Sequence, residues 1–380
     1  MRVAIFTDTF YPDINGVSIT LKHFTQYMES KGIVYKIFAP KSRSGEYISE
    51  HIHRFKSFSL FLYPELRFAF PNVRSIKAEL EAFAPDLIHI ATPFNMGLCG
   101  LYLSKKLNIP VVGSYHTNFD DYLKFYNLSF LSHSLLKYMN WFHRPFKKIF
   151  VPSHETIRQL KRRGFQNTVL APAGVDCALF HPGYDQESVR EKYGLSRRYT
   201  LSFVGRLAPE KDLRTLMKIA SSIPPELNDQ IDWLIVGDGP MREELEEKAP
   251  VNMNFTGYRT GTDLAEIYSI SDLFVFPSST ETFGMVVLEA LASGTPAVTS
   301  NAGGVKNIIK QGKNGFTCEP GDVTAFTEAI VLLLKNSRLR KKFRAEARLY
   351  ALGQSWDTIF EEMLWHYQDV TTEKEISQHA

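Results

Sequence analysis

Leu201-Ser202-Phe203-Val204-Gly205-Arg206-Leu207-Ala208-Pro209-Glu210-Lys211 is a short apolar run that breaks at a glycine into a charged loop. The run predicts a buried strand, and Gly205 with Pro209 predicts the shaped loop after it. Toward the C-terminus the same reading predicts strands at Trp233–Val236, Met253–Thr256, Leu273–Phe276, Ala297–Thr299 and Phe316–Cys318. Toward the N-terminus it predicts Val3–Phe6, Tyr35–Ala39, Leu87–Ile90, Val111–Ser114 and Ile149–Val151. Helix-length segments separate these runs, the pattern of βαβ units and parallel sheets. The expected fold class is therefore α/β.

With 380 residues the chain exceeds one ordinary core, so the two strand series predict two Rossmann-like domains. Gly and Pro cluster in Ala173-Gly174-Val175-Asp176 and Phe180-His181-Pro182-Gly183, which sets the expected boundary near Pro182. The expected domains are 1–182 and 183–354, with an amphipathic helix around Trp356–Tyr367, within 355–372, joined to the first. Ser278 to Lys313 carries two short helical patterns, and Asp322 is the expected N-cap of a longer one through Leu334. Ligands in such sheets bind beyond the carboxyl ends of the strands, so two facing sheets would form an inter-domain cleft.

Composition is that of a globular protein, 44% hydrophobic and 22% charged. No apolar run reaches the ~18 residues that span a bilayer. The opening Met1-Arg2-Val3-Ala4-Ile5-Phe6-Thr7-Asp8 meets an acid too early for a signal peptide. Cys99, Cys177 and Cys318 are scattered without a Cys-x-x-Cys pair, arguing against a disulfide framework or zinc site and for a reduced, cytoplasmic setting. A net charge of +3 gives no argument for nucleic acid.

The strand-end loops hold the candidate chemistry. In Asp8 to Gly16, Gly16 precedes a helical pattern and suits backbone contact with a phosphate, or simply a tight turn. Arg206 and Lys211 place two cations in one short loop, suited to a diphosphate; the alternative is a solvated loop capped by Glu210. In Glu281-Thr282-Phe283-Gly284-Met285-Val286-Val287-Leu288-Glu289, Gly284 opens a helix whose free N–H groups attract an anion. Glu289 lies two turns on, among apolar residues. His116 follows a buried strand in Gly113-Ser114-Tyr115-His116-Thr117-Asn118-Phe119-Asp120, with structural and functional readings evenly balanced. Gly237-Asp238-Gly239-Pro240 is another strand-end turn, but Arg242 breaks the dinucleotide fingerprint and disfavours a nicotinamide dehydrogenase. No Asp-x-Asp occurs, so no metal is expected and leaving-group charge falls to Arg206, Lys211 and helix dipoles.

These motifs resemble glycosyltransferase family 4, along nearly the whole chain, whose members have the GT-B architecture of two facing Rossmann-like domains. Gly205-Arg206-Leu207 with Glu210-Lys211 is similar to the family's phosphate loop. Glu281 and Glu289, seven residues between them, match its paired-glutamate motif. The resemblance implies that Arg206 and Lys211 bind the diphosphate, assisted by Gly16 and the backbone at Phe283, Gly284, Met285 and Val286. It implies that Glu289 holds the ribose, Glu281 the transferred sugar, and Gly237, Asp238, Gly239 and Arg259 the base, with His116 beside the sugar. The chain departs from the family at Asn307, where a glutamate is usual.

Within the family, Phe10-Tyr11-Pro12, Asn15-Gly16-Val17 and Tyr115-His116-Thr117-Asn118-Phe119 look most like bacterial mannosyl- and glucosyltransferases with lipid acceptors. The implied reaction is retaining hexosyl transfer from a nucleotide diphosphate sugar, GDP-mannose ranked ahead of UDP-glucose, to a lipid or sugar acceptor. An epimerase or a non-catalytic nucleotide-sugar-binding protein ranks below. The aromatic and basic stretch Tyr122–Phe150 is read as a surface for an anionic membrane, with a plain core helix as the alternative.

Overall fold

The computed structural model describes residues 1–13, 15–42, 49–59, 67–118 and 129–379. The chain folds as two compact units. The first holds the described residues before Gly174 and those from Trp356 onward; the second holds Gly174–Ser355.

In the first unit, strands β1 (Arg2–Phe6), β2 (Val34–Pro40), β3 (Ile52–Phe55), β4 (Ser57–Ser59), β5 (Arg67–Ala69), β6 (Leu87–Ile90), β7 (Val111–Ser114), β8 (Ile149–Val151) and β9 (Thr168–Leu170) follow in order. Seven form one sheet in the order β3-β2-β1-β6-β7-β8-β9, every pairing parallel. β4 and β5 form a separate antiparallel hairpin. The core on one side gathers Phe6, Phe38, Met96, Leu101, Phe142 and Phe146. On the helix Trp356–His379, Phe360 and Tyr367 pack against Phe24 of the helix Gly16–Ser30.

The second unit repeats the plan with β10 (Tyr199–Val204), β11 (Ile231–Val236), β12 (Met253–Gly257), β13 (Leu273–Phe276), β14 (Ala297–Ser300) and β15 (Gly315–Cys318). The order β12-β11-β10-β13-β14-β15 is again all parallel. β10, β11 and β13 are buried at every residue, as a sheet covered on both faces requires. The two short helices expected before Lys313 are Met285–Ala292 and Val305–Ile308. Asp322 caps Val323–Lys335 through its carboxylate, which accepts from Ala325 N.

Strand order reverses between β1 and β6 and again between β10 and β13. These are the switch points where doubly wound sheets leave room for ligands.

The boundary differs from expectation. It falls at Ala173/Gly174 rather than near Pro182, because the intervening segment is bonded into the second unit. Val175 N donates to Gln354 O, and Arg348 donates to Cys177 O and Phe180 O. The Gly/Pro cluster marks the turns but not the cut. Strands β3, β4, β5 and β9 also lie outside the sequence reading.

Candidate functional site

At the second unit's switch point, the loop after β10 is zipped to the turn after β11. Gly205 N donates to Val236 O, Leu207 N to Asp238 O, and Met241 N to Leu207 O. The approach is so close that a Cβ on Gly237 would lie 1.9 Å from Gly205 O, so only glycine fits. Pro209–Lys211 then forms a 3₁₀ turn. Glu210 is not the solvent-side cap of a solvated loop: it is 2% exposed, with Oε1 3.8 Å from Arg206 Nη1. Its carbonyl accepts from Ser278 Oγ and Thr280 Oγ1, each at 3.1 Å, which locks the loop to the end of β13.

Lys211 turns toward β13 as well. Its ammonium pairs with the Glu281 carboxylate and lies 5.8 Å from the Phe276 ring centre. Both members of this pair are largely covered, at 16% and 17% side-chain exposure. Arg206 is similarly covered at 15%, so the loop carries two partly desolvated cations.

Three residues beyond Glu281 the helix Met285–Ala292 begins at Gly284, whose φ of +102° lies in the left-handed region. A side chain there would also meet Val305 Cγ2 at 2.7 Å. Phe283 is buried at this entrance, and Met285 and Val286 form the first turn, where backbone N–H groups lack intrahelical partners. Glu289, one turn further, lies 3.2 Å from the Tyr268 hydroxyl, which donates to it. Burial pushes the Glu289 carboxyl up to about 7, opposed by that hydrogen bond.

The remaining candidates of this unit sit at the turns after β11 and β12. Gly237 N donates to Gly257 O at 3.0 Å, tying the Gly237-Asp238-Gly239 turn to the strand that leads to Arg259. Asp238 is exposed and pairs with Arg242 at 3.4 Å. The charge of Arg259 acts on Asp263 and Tyr193, toward the edge of the sheet. At Asn307, the side-chain amide donates to Gly304 O at 3.3 Å, closing the Gly303-Gly304 turn on itself.

Gly16 and His116 belong to the first unit. Gly16 is the exposed first residue of its helix, capped by a reciprocal pair between Asn15 and Ser18. His116 lies two residues past β7, half-buried, in a pocket shared with Thr20, Phe24, His89, Ser114 and Phe150. Burial lowers its pKa to about 4, so the ring is neutral near pH 7. Phe119 and Asp120, at the end of the His116 motif, lie outside the described residues.

Sequence reasoning passed over Asp8 and Tyr268. Asp8 is buried at the first switch point, accepting from Thr92 Oγ1, Phe94 N and Met96 N, and burial raises its pKa to about 6. Its place two residues past β1, at a strand's carboxyl end, is the available signal. Tyr268 offered none, because its link to Glu289 crosses 21 residues.

Residues 14–179 match the family described as Glycosyltransferase Family 4, and residues 185–350 match Glycosyl transferases group 1. A GDP-mannose-dependent alpha-mannosyltransferase of Mycobacterium tuberculosis is 31% identical over 97% of this chain and 97% of its own. The chain belongs to glycosyltransferase family 4. An alpha-monoglucosyldiacylglycerol synthase of Streptococcus pneumoniae is 29% identical over 81% of this glycosyltransferase and 73% of its own length. The solved sucrose-phosphate synthase of Thermosynechococcus elongatus matches 98% of the glycosyltransferase and 100% of its own chain, with a TM-score of 0.81 at 21% identity. That likeness gives the fold, GT-B, with its two Rossmann-like domains. Among the described residues of the glycosyltransferase, no helix is long and apolar enough to cross a membrane.

Proposed function

We propose that this enzyme is a retaining hexosyltransferase that moves mannose or glucose from a nucleotide diphosphate sugar to a lipid or sugar acceptor without a metal ion. The observation that carries the reading is the cluster at the β10/β13 switch point. There, Lys211 pairs with Glu281, Arg206 lies beside Glu210 in the same loop, and the helix that Gly284 opens begins three residues beyond Glu281. A departing diphosphate needs concentrated positive charge in a partly dry site, and two covered cations with a helix N-terminus supply it. Binding the diphosphate would draw Lys211 from Glu281 and free that carboxylate for the hydroxyls of the transferred sugar. Glu289 would take the ribose and the Gly237–Gly239 turn with Arg259 the base. Neutral His116 would orient the sugar as donor or acceptor of a hydrogen bond.

GDP-mannose ranks ahead of UDP-glucose because the mycobacterial relative, the more similar of the two over its full length, is named for it. Once freed from Lys211, Glu281 would be committed to the sugar hydroxyls and Glu289 to the ribose, which leaves neither of these two carboxylates as the nucleophile of a double displacement. Attack from the leaving-group face, with the departing phosphate taking the acceptor's proton, is the retaining course that remains. The pneumococcal relative is named for a diacylglycerol product, which supports a lipid acceptor and work at a cytoplasmic membrane surface.

The test is a thermal-shift panel of GDP, UDP and ADP sugars, followed by NMR of the product's anomeric proton. A donor that binds the folded state raises the melting temperature by mass action. Stabilisation by none of the three, or an inverted product from an α-linked donor, would overturn the reading.

A further inference from the structure

His89 stands in the middle of a parallel sheet, on β6, opposite Val112 of β7. It is 1% exposed and enclosed by rings: Phe24 at 6.4 Å, Phe150 at 6.0 Å and Tyr367 at 5.8 Å between centroids. An apolar side chain would fill such a place without needing polar partners, and burying an imidazole is unfavourable unless both nitrogens are satisfied. Both are. Nδ1 meets the Tyr367 hydroxyl and Nε2 lies 2.8 Å from Ser114 Oγ. A neutral imidazole has one donor and one acceptor, so the direction of one hydrogen bond fixes that of the other. Tyr367, His89 and Ser114 therefore form a polarised chain from the helix Trp356–His379 to the last residue of β7.

What lies at that end is the site loop. The ladder carries the chain as far as Tyr115, whose N–H donates to Phe150 O at 2.9 Å, and His116 comes next. His89, Ser114 and His116 line the same pocket. We propose that His89, held between the Tyr367 and Ser114 hydroxyls, is a positioning residue that sets the strand end carrying His116. The proposal rests on the placing of His116 at the sugar. It explains why a buried polar chain occupies the core here, where the plain alternative is a satisfied core histidine. Burial lowers the His89 pKa to about 3, with His116 adding to the effect, so the chain keeps one protonation pattern across the working pH range.

The experiment is a double-mutant cycle on the full chain. Tyr367→Phe and Ser114→Ala each remove one hydroxyl and little volume. Each should lower kcat about five- to tenfold, the loss of roughly one hydrogen bond's worth of alignment. Nucleotide affinity, which depends on Arg206 and Lys211, should stay within about twofold. In a His116→Ala background the same substitutions should lower kcat no further. Unchanged kcat in both single variants, with His116→Ala strongly impaired, would overturn the positioning role alone. Equal losses with and without His116 would also overturn it, since a general loss of packing acts independently of that ring. Full activity of His116→Ala would instead remove the assignment of His116 itself, and the positioning role with it.

Discussion

Lys211 and Glu281 meet across 70 residues of sequence, and on the proposed reading this contact must open for the loop to take a diphosphate. A charge pair so covered is costly to break by removing one member, because the other is left desolvated. Arg206→Ala or Lys211→Ala should therefore lower turnover by about 10²–10³-fold, as loss of an electrostatic stabiliser does. Wild-type activity should survive EDTA; abolition by EDTA with recovery on magnesium would show that a metal carries the charge instead. Glu289 gives a second test, through pH. Its folded pKa of about 7 lies above the ordinary 4.5, so the folded state holds a proton that the unfolded chain releases earlier. The associated stability is fully present below about pH 4.5 and is lost as pH rises through about 7. Relative to Glu289→Gln, the wild-type melting temperature should fall between pH 5 and pH 8. Donor affinity should rise over the same window, because the carboxylate is the stronger acceptor for ribose hydroxyls. A flat difference in melting temperature would show Glu289 to be solvated. The loops holding these residues were legible because each ends a buried strand. The pairings were not: Lys211–Glu281 depends on β10 lying beside β13, and Tyr268–Glu289 on the packing of the helix Gly261–Ile270 against Met285–Ala292.

At the scale of elements, the helix Ser337–Leu352 ties the second unit together through arginines four residues apart. Arg340 donates to Leu333 O and Leu334 O, at the end of the helix Val323–Lys335. Arg344 donates to Ser269 O and Ser271 O, at the end of Gly261–Ile270. Arg348 donates to Ala292 O, the last residue of the helix bearing Glu289, and to Cys177 O and Phe180 O. One helix face thus caps three helix ends whose last carbonyls lack intrahelical partners. Arg348→Met should cost about 2–3 kcal/mol in denaturant unfolding, and Arg348→Lys should recover only part, because an ammonium cannot fork to three carbonyls. A loss under about 0.5 kcal/mol would show that water replaces the guanidinium. The buried strands were read from sequence nearly to their ends: β6, β7, β8 and β13 carry the expected bounds. The omitted β3, β4, β5 and β9 are three or four residues long and mostly half-exposed where described. Such strands are held by the partner beside them more than by their own apolar pattern, so periodicity has little to register.

For the molecule as a whole, a lipid acceptor of the kind proposed would have to be met at a membrane surface, since among the described residues no helix is long and apolar enough to cross the bilayer. Between Asp86 and Glu155 the only acidic residues are Asp120 and Asp121, against Lys105, Lys106, Lys124, Lys137, Arg144, Lys147 and Lys148. Of the stretch read as a membrane surface, Tyr122, Leu123, Lys124, Phe125, Tyr126 and Leu128 lie outside the described residues. The rest divides. Met139, Phe142 and Phe146 are core, while Phe130, Leu131 and Trp141 are exposed, Phe130 at 76%. Lys105 lies 5.9 Å from the Trp141 ring centre, and Lys106 donates to the Tyr102 hydroxyl, itself on an exposed residue. Tryptophan and tyrosine beside lysine suit the headgroup layer, where rings enter the interface and cations meet anionic lipid. Lys148 contributes less than the sequence suggested, because it is paired with Asp369 at 2.9 Å. In flotation with liposomes, binding should require anionic lipid and weaken with salt. Changing Lys105, Lys106 and Lys137 to Glu should remove most of it, at about 1 kcal/mol per cation. Lys148→Glu alone should matter little to binding but destabilise the fold by opposing Asp369. Equal recovery with neutral and anionic vesicles, or with none, would return these lysines to a solvated face and leave a soluble sugar as the acceptor to pursue.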